Sequence, residues 1–178
     1  MKKTIGERVL TTKALPFLCL LVALILLASF AVYAQQANVP LKLYYGAGRG
    51  DTYLTASFAD EASAQAAYYQ YTRVECFIFS TKVTGTVPLK AYYLDDSGDN
   101  FTTSTTEGIA DAKSAGYRFL HDEGYVYPQF RAGTVPLKLY YSDLLGDNFT
   151  TATAGGENDA LAAGYRFIRI EGYVFPAP

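Results

Sequence analysis

The chain has 178 residues, half of them hydrophobic, with 15 basic and 17 acidic residues and a formal net charge of −2. So balanced a charge leaves no basic footprint for a nucleic acid, and that partner class is set aside. Of the two cysteines, Cys19 falls in an apolar leader and only Cys76 lies beyond it. No intrachain disulfide can then brace the rest, which must rely on its core; Cys76 reads as a small buried residue.

Residues 1–13 carry Lys2, Lys3, Arg8 and Lys13 against the single acid Glu7, and residues 14–32 carry no charge. Ala31-Val32-Tyr33-Ala34 follows, with small residues where a signal peptidase reads. Basic region, apolar core and A-x-A-like end predict a secretory signal over residues 1–34, cut after Ala34. The alternative is an uncleaved anchor, because the apolar run is near the ~18–20 residues that span a bilayer. Bulky residues before Cys19 argue against lipoprotein processing there. The expected location is secreted or periplasmic, with no membrane contact after cleavage.

Residues 35–178 read as one domain of three repeats, 39–86, 87–134 and 135–178. Val39-Pro40-Leu41-Lys42-Leu43-Tyr44-Tyr45 returns as Val87-Pro88-Leu89-Lys90-Ala91-Tyr92-Tyr93 and as Val135-Pro136-Leu137-Lys138-Leu139-Tyr140-Tyr141, each 48 residues on. Gly50-Asp51, Gly98-Asp99 and Gly146-Asp147 recur at the same offset, as do Glu75, Glu123 and Glu171. No insertion separates the units, and units two and three are the closer pair.

Within a unit, Pro-Leu-Lys-Leu-Tyr-Tyr predicts a first strand with Leu137, Leu139 and Tyr141 on one face and Lys138 and Tyr140 on the other. Gly-Asp-Asn predicts a turn, and Phe101-Thr102-Thr103 a second strand. An Ala-rich run then predicts a short helix. Gly116 and Gly164 end it in units two and three through a left-handed residue; Tyr68 stands there in unit one, so that helix is expected to stop differently. Tyr165 to Arg169 and Gly172 to Phe175 predict two more strands linked at Glu171-Gly172. Four strands and a helix per unit, three times over, predict a β-rich fold in a closed pseudo-threefold, β-trefoil-like arrangement. A small three-bladed propeller-like arrangement is the alternative.

The chemistry of catalysis is sparse. His121 is the one histidine, and Arg73 and Arg169 replace it in the other units, so no threefold role rests on an imidazole. No metal-spaced Cys/His cluster and no phosphate loop appears. The expectation is therefore no catalytic residue, no metal and no cofactor. The candidate binding residues are the outward rings of Tyr44, Tyr92 and Tyr140, stacking on a sugar in a site walled by Asp51, Asp99, Asp147, Asn100 and Asn148. Three such sites would give avidity. Cross-strand aromatic packing is the plainer reading of the same tyrosines. Glu75, Glu123 and Glu171, with Gly116 and Gly164, read as structural, the glutamates capping a turn or pairing with Arg118, Arg166 or a neighbour. Arg49-Gly50-Asp51 and the Asn100 and Asn148 sequons are discounted.

The string Val-Pro-Leu-x-x-Tyr-Tyr, Gly-Asp-x-Phe-x-Thr-Thr, Ala-x-x-x-Gly-Tyr-x-Phe, Glu-Gly-Tyr-Val-Phe-Pro resembles the exported repeat family of unknown function named DUF5648. The resemblance implies export and repeat architecture rather than an activity. That family commonly carries His after Gly-Asp, where this chain has Thr52, Asn100 and Asn148, so any role needing an imidazole there is absent. The functional expectation is an exported non-catalytic binding module for carbohydrate or cell-envelope polymer. The alternatives are a structural or protein-interaction domain without a small ligand, and an exported Asp/Glu-dependent hydrolase.

Overall fold

The computed structural model describes residues 39–178; the expected leader, its cleavage site and Cys19 lie outside the described residues. No helix among the described residues is long and apolar enough to cross a membrane. The three sequence units carry the same elements in the same order. Unit one holds β1 (Val39–Gly46), β2 (Asp51–Thr55), α1 (Phe58–Ala66) and β3 (Gln70–Ile78). Unit two holds β4 (Val87–Leu94), β5 (Asp99–Thr103), α2 (Thr106–Ser114) and β6 (Arg118–Val126). Unit three holds β7 (Val135–Ser142), β8 (Asp147–Thr151), α3 (Ala154–Ala162) and β9 (Arg166–Pro176).

Each unit thus has three strands, not the four expected. The Glu-Gly link is no break: Glu171-Gly172 lies inside β9, as Glu123-Gly124 lies inside β6. The chain bends at β-bulges instead of a turn. The first strand is the centre of each antiparallel meander, pairing with the second strand on one side and the third on the other. The sheets are open: one of six strands in the order β2-β1-β3-β9-β7-β8, and one of three in the order β5-β4-β6. The fold is β-rich and antiparallel, and no barrel closes as the trefoil-like expectation required.

Two register shifts in each first-to-third-strand pairing explain a second departure. They fall between Leu137/Lys138 and Leu139/Tyr140 in unit three, with equivalents in the other units. A bulge resets which face a side chain takes. Leu139 and Tyr140 are therefore both buried, and Tyr141 is half-buried. Strict alternation fails, and Tyr44, Tyr92 and Tyr140 face inward.

Burial is organised around the second strands. β2 is buried at every residue, and β5 and β8 at all but Asn100 and Asn148. β2, β5 and β8 contact one another pairwise. Leu41, Leu89 and Leu137 are fully buried in the main core with Ile78, Val126, Val174 and Cys76. Each helix covers its own unit through one alanine, Ala64, Ala112 or Ala160. Ser57, Thr105 and Thr153 cap the helix N-termini, accepting from the backbone N–H three residues on.

The helices end alike, against expectation. Gly116 and Gly164 take φ of 87° and 82°, and Tyr68 takes 66° at the matching position. Tyr69 N–H bonds to Ala64 O as Tyr117 N–H does to Ala112 O. The same closing backbone hydrogen bond accompanies the left-handed residue whatever its side chain. The Tyr68 ring is exposed, so nothing offsets the steric cost of a Cβ there. Tyr68→Gly should stabilise the protein by about 1 kcal/mol, read as a raised urea midpoint at unchanged m-value.

Candidate functional site

The repeated glutamates are buried and cross between units. Glu171 in β9 accepts from the Thr103 hydroxyl at 2.6 Å and the Ser104 N–H at 3.1 Å, both at the end of β5. Glu75 in β3 does the same to Thr151 at 2.7 Å and Ala152 N–H at 3.1 Å. Glu123 in β6 takes Thr55 at 3.0 Å and Ala56 N–H at 2.7 Å. Each thereby satisfies backbone and hydroxyl donors where the neighbouring unit's second strand gives way to its helix. A basic residue two positions earlier on the same strand faces each carboxylate. Arg73 Nε lies 2.5 Å from Glu75 and Arg169 Nε 2.7 Å from Glu171. The partners are thus Arg73 and Arg169; Arg118 and Arg166 pair outside, with Asp95 and Asp143.

The same arginines reach a helix of the adjoining unit. Arg169 Nη1 meets Asp111 and Arg73 Nη1 meets Asp159, each at 2.7 Å. Unit one carries Ser63 at that helix position. Its acid is Asp60 instead, one turn earlier, where units two and three have Gly108 and Gly156. A Cβ at either glycine would clash with the Thr103 or Thr151 hydroxyl. His121, shorter than arginine, reaches Asp60 at 2.8 Å and Glu123 at 3.2 Å. His121, which no threefold role needed, is thus a bridging residue. Its hydrogen bond to Glu123 raises its pKa, and the charges of Glu123, Asp60 and Asp122 add to that against the opposing effect of burial.

The repeated aspartates converge. One carboxylate oxygen from each of Asp51, Asp99 and Asp147 lies within 4.8 Å of the others. All three residues are buried, at 5%, 4% and 3% exposure. Tyr69, Tyr117 and Tyr165 donate their phenols to the Oδ2 atoms of Asp51, Asp99 and Asp147. Asn100 Nδ2 adds a bond to Asp51 at 3.0 Å, and Asn148 Nδ2 to Asp99 at 3.2 Å. Thr52, in the third such position, donates to Asn148 O. Burial pushes the Asp99 and Asp147 carboxyls up, and their acidic neighbours contribute.

Tyr44, Tyr92 and Tyr140, expected to stack on a ligand, are buried at 1%, 4% and 3% exposure. Tyr44 and Tyr140 donate to Glu61 and Glu157 on the covering helices at 2.7 and 3.0 Å. Burial and Glu61 push the Tyr44 phenol up to about 12. These rings cannot stack on a sugar. The neighbouring Tyr93 and Tyr141 are more open, with the Arg118 and Arg166 guanidiniums 5.2 and 5.7 Å from their ring centres.

A cleft of about 300 Å³ opens between units one and two, lined in part by Arg49, Tyr53, Asp60, Tyr93, Asn100 and Arg118. Of the expected binding residues, Asn100 alone lines it. Arg49 reaches over Gly98 of the next unit, where an added Cβ would meet its guanidinium. Arg49 forms no ion pair among the described residues. The equivalents of Arg49 are Ser97 and Leu145, so the matching junctions lack this second guanidinium. Sequence comparison set Arg49 aside because it occurs once; its charge at a repeat junction was the available signal.

A β-rich protein of bulged three-stranded meanders, each under one short helix, is thereby defined. Residues 30–175 match the family described as Domain of unknown function (DUF5648), most of the chain, and the chain belongs to that family. No curated protein and no solved structure matches it.

Two outcomes are expected of the inter-unit bridges. Glu171→Ala leaves Arg169 and the Ser104 N–H without their buried partner and should cost about 3 kcal/mol in chemical denaturation. His121 has a folded pKa above its ordinary 6.5. Its contribution is therefore complete below pH 6.5 and is lost as pH rises through the folded value. Urea midpoints should fall over that window in the wild type and stay flatter in His121→Arg, which remains charged.

Proposed function

We propose that the protein is an exported, non-catalytic binding module, cut after Ala34, whose ligand is an acidic carbohydrate or cell-envelope polymer held in the cleft between units one and two. The observation that carries this reading is the pairing of Arg49 and Arg118 with Tyr93 and Asn100 around one concave surface. A planar guanidinium bonds a carboxylate or phosphate through two donors. An aromatic ring offers a sugar an apolar face, and an amide bonds its hydroxyls. A volume of about 300 Å³ is at the lower end of ligand sites and suits one or two sugar rings. Because Arg49 belongs to unit one alone, the reading is one site per chain rather than three.

We also infer that residues 35–178 form one domain whose units close on one another about a pseudo-threefold axis, nearer to the propeller-like alternative than to a trefoil. Three links support it: Phe79 with Tyr125, Tyr127 with Tyr173, and Phe77 with Phe175 join the third strands in sequence and back to the first. The glutamate bridges run round the same circuit. The rings of Phe79, Tyr127 and Phe175 pack edge to face with centres 5.4–6.5 Å apart.

A second reading, a structural or protein-interaction domain without a small ligand, draws support from the burial of Tyr44, Tyr92 and Tyr140. The hydrolase alternative draws none from Asp51, Asp99 and Asp147, which are alike in burial and do not line the cleft. A glycan array with uronate- and phosphate-bearing polymers separates the first two. Retention of the wild type, lost in Arg49→Ala and reduced in Tyr93→Ala, is the expected result. No retention of any polymer, or undiminished binding by Arg49→Ala, overturns the cleft reading.

A further inference from the structure

We infer that Asp51, Asp99 and Asp147 form a site for one hard divalent cation of the calcium class, whatever the cleft binds. Six acids are buried among the described residues, and they divide sharply. Glu75 and Glu171 each meet an arginine, and Glu123 meets His121. Among the described residues the three aspartates meet no cation; they meet one another and the neutral donors Tyr69, Tyr117, Tyr165, Asn100 and Asn148. Three carboxylates pressed together in the interior repel one another and lose their hydration, which favours a bound cation or a held proton.

A separate observation indicates what the interior arrangement suits. Every one of those neutral donors bonds an Oδ2 atom. The Oδ1 atoms of all three aspartates are buried and accept from no donor group among the described residues, while the Asp147 carboxyl lies within hydrogen-bond reach of those of Asp51 and Asp99. A buried carboxylate oxygen without a partner is costly, and three of them in one place are rare. The Oδ2 oxygens are fixed by phenols and amides, as metal-binding carboxylates commonly are by surrounding groups. The distances fit: oxygens bound to one calcium at about 2.4 Å lie no more than about 4.8 Å apart. The cluster meets that limit, since its three oxygens lie within 4.8 Å of one another. All-oxygen, all-carboxylate ligation selects calcium-like ions over those that prefer imidazole or thiolate. The nearby phenols provide the means of detection: Tyr69, Tyr117 and Tyr165, each bonded to a ligand carboxylate, can pass excitation to a bound lanthanide.

The test uses the full chain, stripped with a chelator. Terbium is added with tyrosine excitation, and calcium is titrated by calorimetry. The expected results are tyrosine-sensitised emission saturating at one terbium per chain, and its displacement by calcium. Asp147→Asn should weaken terbium binding at least about tenfold, with its far-UV circular dichroism showing whether it has folded. Asp60→Asn, which alters the separate Asp60–His121–Glu123 cluster, should leave the emission unchanged. The calorimetric stoichiometry needs no variant, so it decides the question even if Asp147→Asn fails to fold. No heat and no sensitised emission, or emission that survives in folded Asp147→Asn, or emission lost in Asp60→Asn, overturns the site.

Discussion

The glutamate that ends each unit's central span is the contact on which the architecture depends. A single meander of three short strands with one helix cannot bury its own face, and the second strand would be left as an open edge. Glu75, Glu123 and Glu171 answer this by leaving their own sheet and taking the hydroxyl and N–H at the point where a neighbouring second strand ends. That point is where backbone donors lose their ladder partners and the helix has not yet begun to supply its own. A buried carboxylate is tolerable there because it accepts several bonds and has a cation two residues upstream. The bulges that keep Glu and Gly within one strand, instead of letting them turn, serve the same end by aiming the carboxylate sideways.

The cationic partner is also where the three junctions differ. Two use a long arginine with an acid on the adjoining helix at Asp111 or Asp159, and a glycine one turn earlier gives the arginine room. The third uses the shorter His121 with Asp60 in the space the glycine left. The changes at Asp60, Ser63 and His121 are one compensated exchange in geometry and charge. The exchange converts a junction that is permanently charged into one that titrates, and it puts Asp60 at the edge of the cleft that Arg49 and Arg118 line.

The sequence was most legible where repetition and short-range chemistry coincide. The strand, strand, helix order and the glycine stops could be read from local pattern, since each depends on a few adjacent residues. The burial of Glu75, Glu123 and Glu171 was less visible, because their partners Thr55, Thr103 and Thr151 lie in other units and nothing local marks them. The two tyrosines of each first strand were misassigned for a specific reason. Alternation holds only in an unbulged strand, and two register shifts per strand turned Tyr44, Tyr92 and Tyr140 under the helices while leaving Tyr45, Tyr93 and Tyr141 more open. Treating the repeat as a filter also worked in one direction only. It found the residues that every unit needs, Asp and Glu among them, and it discarded Arg49 and His121, which matter because they are not repeated.

Repetition and its exceptions therefore divide the work of the chain. Features present three times must be compatible with the same surroundings at each junction, so they settle into the interior, where Asp51, Asp99 and Asp147 meet and where each glutamate bridges. The cleft between units one and two shows the reverse, a surface unlike its counterparts. Unit one has the freedom to supply it, having diverged from the closer pair formed by units two and three. Its departures at Arg49, Asp60, Ser63 and Tyr68 lie along the turn and helix beside unit two, and Arg49, Asp60 and Ser63 line the cleft itself. Tyr68 shows the cost of that freedom, since it holds a left-handed backbone that glycine adopts without strain in the other two units. One copy in the repeated frame can thus carry a strained exception beside an asymmetric cleft, because the other two copies preserve the frame around it.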